Sequence, residues 1–124
     1  MKLILKTFLL IVISSVMIIS CNTGEDFAIE TNDWGNLTIT LIEPGLVTNI
    51  WVFDSTGSTG IATLQGTGDF TYTYEKTDVN SSTLTFDVQG EDKYELTWMS
   101  ANSGTFSEYF NGVAGSMGTF TLIK

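Results

Sequence analysis

The 124-residue chain has no histidine, no arginine, one cysteine (Cys21), one proline (Pro44) and five lysines. Each shortage removes a class of function. Without histidine there is no imidazole to serve as the base beside a serine or cysteine nucleophile. Metal sites built on imidazole or thiolate are excluded as well. With no arginine and few lysines, little can neutralise a phosphate backbone, so nucleic acid is not expected as a partner. A lone cysteine makes no internal disulfide. Calcium needs several oxygens converging from one loop, and the acidic pairs Glu25-Asp26 and Glu91-Asp92 lack that spacing. No cofactor is expected. The scarcity of proline has a different consequence: strand edges are left without a common blocking residue, which favours an architecture that has no edges.

What is present begins with Lys2 and Lys6, followed by an apolar run from Phe8 to Ile19 broken only by Ser14 and Ser15. A basic start and a short apolar region are the pattern of a secretory signal. A spanning helix needs about 20 apolar residues, and this run gives way to Cys21-Asn22-Thr23-Gly24-Glu25-Asp26 first. An uncleaved anchor is the alternative, and it too would hold the chain at a membrane. The four residues Ile18-Ile19-Ser20-Cys21 resemble the lipobox of bacterial lipoprotein signal peptides. That resemblance implies removal of residues 1–20, lipidation of Cys21 and attachment to the membrane through acyl chains. Asn22, rather than Asp, follows the cysteine, and by the family's sorting rule this implies the outer membrane of the cell envelope.

Both N-terminal lysines would leave with the signal. Lys76, Lys93 and Lys124 then face all fourteen Asp and Glu. Such a domain stays soluble and is repelled by an anionic membrane surface. Residues 21–33 are polar and acidic apart from Phe27, Ala28 and Ile29, and are expected to form a tether of roughly 40 Å at full extension, shorter if Phe27 and Ile29 dock.

From Trp34 onward the composition changes to short runs of period two separated by turn residues, which predicts an all-β domain over residues 34–124. Eight strands are expected, at 37–42, 48–54, 60–65, 70–75, 83–88, 93–99, 105–110 and 118–123. Their even spacing and short turns point to a small antiparallel up-and-down barrel, with a two-sheet sandwich as the alternative. The expected interior set is Phe70, Tyr72, Tyr74, Phe86, Tyr94, Trp98, Phe106, Phe110 and Phe120. So many rings favour a filled core, because an eight-stranded barrel is only just wide enough for its own side chains or one small ligand. The stretch 48–54 is apolar on both faces, so Trp51 or Phe53 is expected on the outer wall as a partner contact unless Phe27, Ile29 or Trp34 covers it.

The segments Tyr72-Thr73-Tyr74, Ser82-Thr83-Leu84-Thr85-Phe86, Tyr94-Glu95-Leu96-Thr97-Trp98-Met99-Ser100 and Ser103-Gly104-Thr105-Phe106 resemble the hairpins of small lipocalin-like (calycin) barrels of exported bacterial proteins. This resemblance implies a barrel that could carry a small apolar molecule.

Four residues are candidates for contact with a ligand or partner: Trp51, Phe53, Trp98 and Glu108. Glu108 lies in phase with Phe106 and Phe110. It is either drawn into the interior, where it must find partners or shift its pKa, or placed at the rim or beside a bulge, where it reaches solvent. The loop 112–118 links the last two strands, or gates the mouth as a lid. The expected function is a membrane-anchored, non-catalytic barrel serving as a binding or interaction module of the envelope, contacting an envelope protein. The alternative is a carrier of a small apolar ligand. An enzyme would rest on Glu108 alone.

Overall fold

The computed structural model describes residues 25–45 and 47–124; Cys21 and the signal-like segment 1–20 lie outside the described residues. Eight antiparallel strands form a closed up-and-down barrel: β1 (Thr38–Ile42), β2 (Thr48–Phe53), β3 (Thr59–Leu64), β4 (Gly68–Asp78), β5 (Ser81–Asp87), β6 (Glu91–Ser100), β7 (Ser103–Phe110) and β8 (Val113–Ile123). Each strand pairs with the next. β8 closes on β1 with Thr40 opposite Thr121 and Ile39 opposite Leu122. Every strand therefore has both neighbours, and no edge is left to block. The architecture is compatible with a lipocalin-like barrel, and the sandwich alternative is set aside.

Period-two alternation sets the inside and outside of the wall. β1 buries Ile39 and Leu41 and turns Thr38, Thr40 and Ile42 outward, and β6 buries Asp92, Tyr94, Leu96 and Trp98. Inside, aromatic rings form a continuous series. Trp34 stacks on Tyr74 at 3.9 Å and meets Phe53 edge-on; Phe53 contacts Phe86; Phe86 leads through Tyr94 to Phe106. Trp51 stacks on Phe86 at 3.8 Å. The Trp98 indole N–H donates to the buried Ser82 hydroxyl at 2.8 Å.

Three expectations need correction. Trp51 and Phe53 are two residues apart on one strand and share a face; both are buried, and Ile50 and Val52 take the other face. The residues this strand turns outward are Ile50 and the exposed Val52, not Trp51 or Phe53. Phe110 is not interior: β7 runs past the rim there, and the half-exposed Phe110 ring lies against Gly90 in the β5–β6 turn. The 112–118 segment is not a loop. The chain turns at Asn111-Gly112, both with positive φ (49° and 81°), and β8 starts at Val113. Two positive φ values suit the tight hairpin turns that match strand twist, and Asn-Gly is the preferred pair for them.

The described part of the acidic segment before Trp34 runs along one end of the barrel. The Phe27 N–H donates to the Asn80 side chain and the Ala28 N–H to the Val79 carbonyl. The Tyr74 hydroxyl donates to the Ile29 carbonyl at 2.7 Å, and Lys76 bridges Asp26 and Glu30 at 2.7 and 2.6 Å. A short 3-10 turn, Thr31–Asp33, then delivers Trp34 into the barrel. That end is closed by the chain's own N-terminal side.

Candidate functional site

The opposite end holds the β1–β2, β3–β4, β5–β6 and β7–β8 turns, and here two carboxyl groups meet. Tyr94 on β6 lies directly opposite Glu108 on β7. Asp92, two residues before Tyr94, shares its inward face. Cross-strand neighbours and their diagonal partners are within reach of one another, so one tyrosine and two carboxyl groups converge. The Tyr94 hydroxyl stands 3.3 Å from Asp92 Oδ2 and 3.3 Å from Glu108 Oε1. It has one proton for the two acceptors.

A bulge in β8 completes the arrangement. Ser107 and Tyr109 on β7 pair with Met117 and Ala114, so Gly115 and Ser116 together oppose the single residue Glu108. An extra residue of this kind re-aims backbone groups. Here the Ser116 N–H turns to Glu108 Oε2 at 3.4 Å. Glu108 is thus half-buried beside a bulge, one of the two placements the sequence allows.

Asp92 is the more deeply placed of the two, only 8% exposed. Its Oδ1 has no hydrogen-bond partner among the described residues. Burial, a hydrogen bond with Glu108, that residue's negative charge and the more distant Glu43 push the Asp92 carboxyl up to about 7, against a smaller lowering by the Tyr94 hydroxyl. Burial, with the two carboxylates beside it, also raises the Tyr94 hydroxyl well above the ordinary tyrosine range. Among the described residues no cation is paired with either carboxyl. The nearest lysine in sequence, Lys93, belongs to the outer face, where it lies 5.5 Å above the Tyr109 ring and 3.8 Å from Glu95. The group can hold one proton near neutrality and can accept hydrogen bonds. Among the described residues no cluster of three or more Asp, Glu, His or Cys is placed to hold a metal ion.

Of the residues singled out from the sequence, Glu108 belongs to this group, whereas Trp51, Phe53 and Trp98 are buried in the barrel interior and cannot reach a partner on the outer wall. Cys21 lies outside the described residues. Asp92 and Tyr94 were not singled out as site residues. The sequence places Tyr94 only in the expected core and Asp92 only in the acidic pair Glu91-Asp92. Two shallow clefts, of about 290 and 380 Å³, lie on the outer wall over β4–β5 and β5–β6, and are lined mainly by threonine, serine and acidic residues. No family model matches the chain, and neither a curated protein nor a solved structure matches it.

Proposed function

We propose that the chain is a lipid-anchored protein of the bacterial cell envelope, tethered through Cys21, whose barrel is a non-catalytic binding or interaction module rather than a container for cargo. The observation that carries this reading is the aromatic series inside the barrel, with Trp51 stacked on Phe86 at 3.8 Å and Trp34 on Tyr74 at 3.9 Å. A barrel of eight strands has room for its own side chains or for one small ligand, and here the chain's own rings occupy the centre. The carrier alternative would require these rings to part. Binding is then assigned to the exterior.

The distribution of charge supports the same reading. Outward positions of β7, β8, β1, β2 and β3 carry threonine, isoleucine, valine, methionine, serine and tyrosine, including the exposed Ile42, Val52, Ile61, Met117 and Ile123, with no charged side chain. Asp69, Glu75, Asp87, Glu91, Lys93 and Glu95 all fall on β4–β6. An acidic module with one uncharged wall can meet a neighbour on that wall without burying unpaired charge.

Native mass spectrometry of the full chain, extracted from a bacterial envelope in mild detergent, tests the proposal. The expected mass is residues 21–124 plus the lipid on Cys21, and Cys21→Ser should move the protein out of the membrane fraction. An additional small molecule, lost on denaturation and present in stoichiometric amount, would replace the module reading with the carrier reading.

A further inference from the structure

The carboxyl pair calls for a partner that neither the anchor nor the outer wall explains. Asp92 and Glu108 present four oxygens. The donors that face them are one tyrosine proton, 3.3 Å from an oxygen of each residue, the Ser116 N–H at 3.4 Å and, while Asp92 is protonated, its own carboxyl proton toward Glu108. The tyrosine and Ser116 bonds are long. Asp92 Oδ1 receives none, although Asp92 is more than nine-tenths buried. Buried polar atoms in folded proteins are nearly always paired, and a carboxylate that is buried and unpaired is costly. The Glu43 charge on the β1–β2 side adds to the negative potential at Asp92. The end of the barrel is short of both protons and positive charge.

We propose that the Asp92–Glu108 end of the barrel binds a primary ammonium group. Its three N–H donors match the unpartnered Asp92 Oδ1 and the two oxygens, Asp92 Oδ2 and Glu108 Oε1, that compete for one tyrosine proton. A guanidinium fits less well, because its planar fork is best used against both oxygens of one carboxylate, whereas the oxygens in need here are divided between Asp92 and Glu108. A quaternary ammonium supplies charge but no donor. Calcium takes six to eight oxygens, two carboxylates and one phenol supply five, and among the described residues no third acidic side chain joins them to hold a metal. The ammonium can come from a small alkylamine or from the side chain of a lysine.

The empty pair meets part of its deficit with a proton, since Asp92 titrates at about 7. Ammonium binding displaces that proton. The charged or titratable groups involved are Asp92 and Tyr94 on β6, Glu108 on β7 and Glu43 beyond β1, while Lys93 is turned to the outer wall. Affinity should therefore rise with pH toward neutrality, by up to tenfold per unit for one displaced proton. This inference is independent of the anchor and of whatever contacts the uncharged wall.

Calorimetric titration of the full chain in detergent with n-butylammonium, at pH 6 and pH 8, tests it. Binding should be several-fold to tenfold tighter at pH 8. n-Butanol, which lacks the charge, and tetramethylammonium, which lacks the donors, should not bind. Asp92→Asn should abolish binding. Should that variant fail to fold, Glu108→Gln, at a half-exposed position, should weaken binding at least tenfold. An N-acetyl-lysine N-methylamide arm separates the sources: tighter binding than butylammonium assigns the site to a lysine side chain, weaker binding to small amines, and both uphold the ammonium chemistry. No binding of either amine at pH 8, equal binding of tetramethylammonium, or undiminished binding by Glu108→Gln would overturn the proposal.

Discussion

Gly104 and Phe120 face one another across the β7–β8 ladder, and the Phe120 ring lies over the glycine: a Cβ built on Gly104 would stand 2.8 Å from Phe120 Cε1 and would also clash with the Thr97 carbonyl. The pair Phe106 and Gly118 repeats this with the strands exchanged, the Phe106 ring lying 3.0 Å from a Cβ on Gly118. Each strand lends the other a bare backbone for its ring. Gly104→Ala and Gly118→Ala should each destabilise the fold by about 1–3 kcal/mol, the range for overpacking a close-packed interior. Gly115→Ala, where a Cβ meets only Glu108 at 3.4 Å or more, is the control and should change stability far less. Urea midpoints at unchanged m-value measure all three.

The Asp92 carboxyl makes the fold sensitive to pH in an unusual direction. Its folded pKa of about 7 lies above the ordinary value of 3.8, so the folded state keeps a proton that the unfolded chain releases between these limits. Stability from this group is complete below pH 4, falls as pH rises to 7 and is level above it. Each unit of difference corresponds to roughly 1.4 kcal/mol, so the fall is large enough for denaturation to resolve. Asp54 acts the other way: the Thr56 hydroxyl and then the Ile61 N–H hold it below its ordinary value, so its contribution is lost only as pH drops through the acid range. Denaturation from pH 4 to 8 should show the fall in the wild type, and Asp92→Asn should flatten it. Equal slopes in the two proteins would remove Asp92 as the cause.

Which parts of this were legible in the sequence follows from the range of each interaction. Leu37, Ile39 and Leu41 alternate with threonine, and that period marks a half-buried strand whatever it pairs with. The closure of β1 on β8 depends on pairing between the two ends of the domain, which no local pattern encodes; only the count of strands and the want of edge protection suggested it. The first half of β8 was missed because Ala114, Gly115 and Ser116 have little strand propensity, although Asn111-Gly112 carried the hairpin signal. Asp92 was missed because Gln89-Gly90-Glu91-Asp92 has the composition of a turn. Counting back by twos from Trp98 through Leu96 and Tyr94 reaches Asp92, so its inward position was available from parity alone. Its unpartnered oxygen was not, because that depends on where β7 and the β8 bulge stop.

The hydrogen bond from the Trp98 indole to Ser82, 2.8 Å long and buried, is expected to be worth more by pair than by residue. Trp98→Phe leaves the serine hydroxyl without its donor, and Ser82→Ala leaves the indole N–H without its acceptor; each should cost roughly 1–3 kcal/mol. With both groups gone no polar atom is stranded. The double variant should therefore be less destabilised than the sum of the singles, with a coupling of about 1 kcal/mol in a double-mutant cycle. Strict additivity would mean that solvent satisfies both groups in the single variants.

Trp51 tests whether the barrel is a filled core or a container held shut. Its ring is 2% exposed, stacks on Phe86 and meets Phe70 edge-on at 5.7 Å, and its indole N–H has no partner among the described residues. Trp51→Ala removes a large aromatic side chain from close packing and should cost about 3–5 kcal/mol. The space left is bounded by Phe70 and Phe86. An apolar cavity of this kind stays dry and takes up benzene-sized molecules. Thermal denaturation in the presence of benzene should therefore raise the melting temperature of Trp51→Ala and leave the wild type unmoved, since only a ligand that binds the folded state stabilises it. A rise of equal size in the wild type would show that the rings already part to admit a guest, and the carrier reading would then displace the filled barrel.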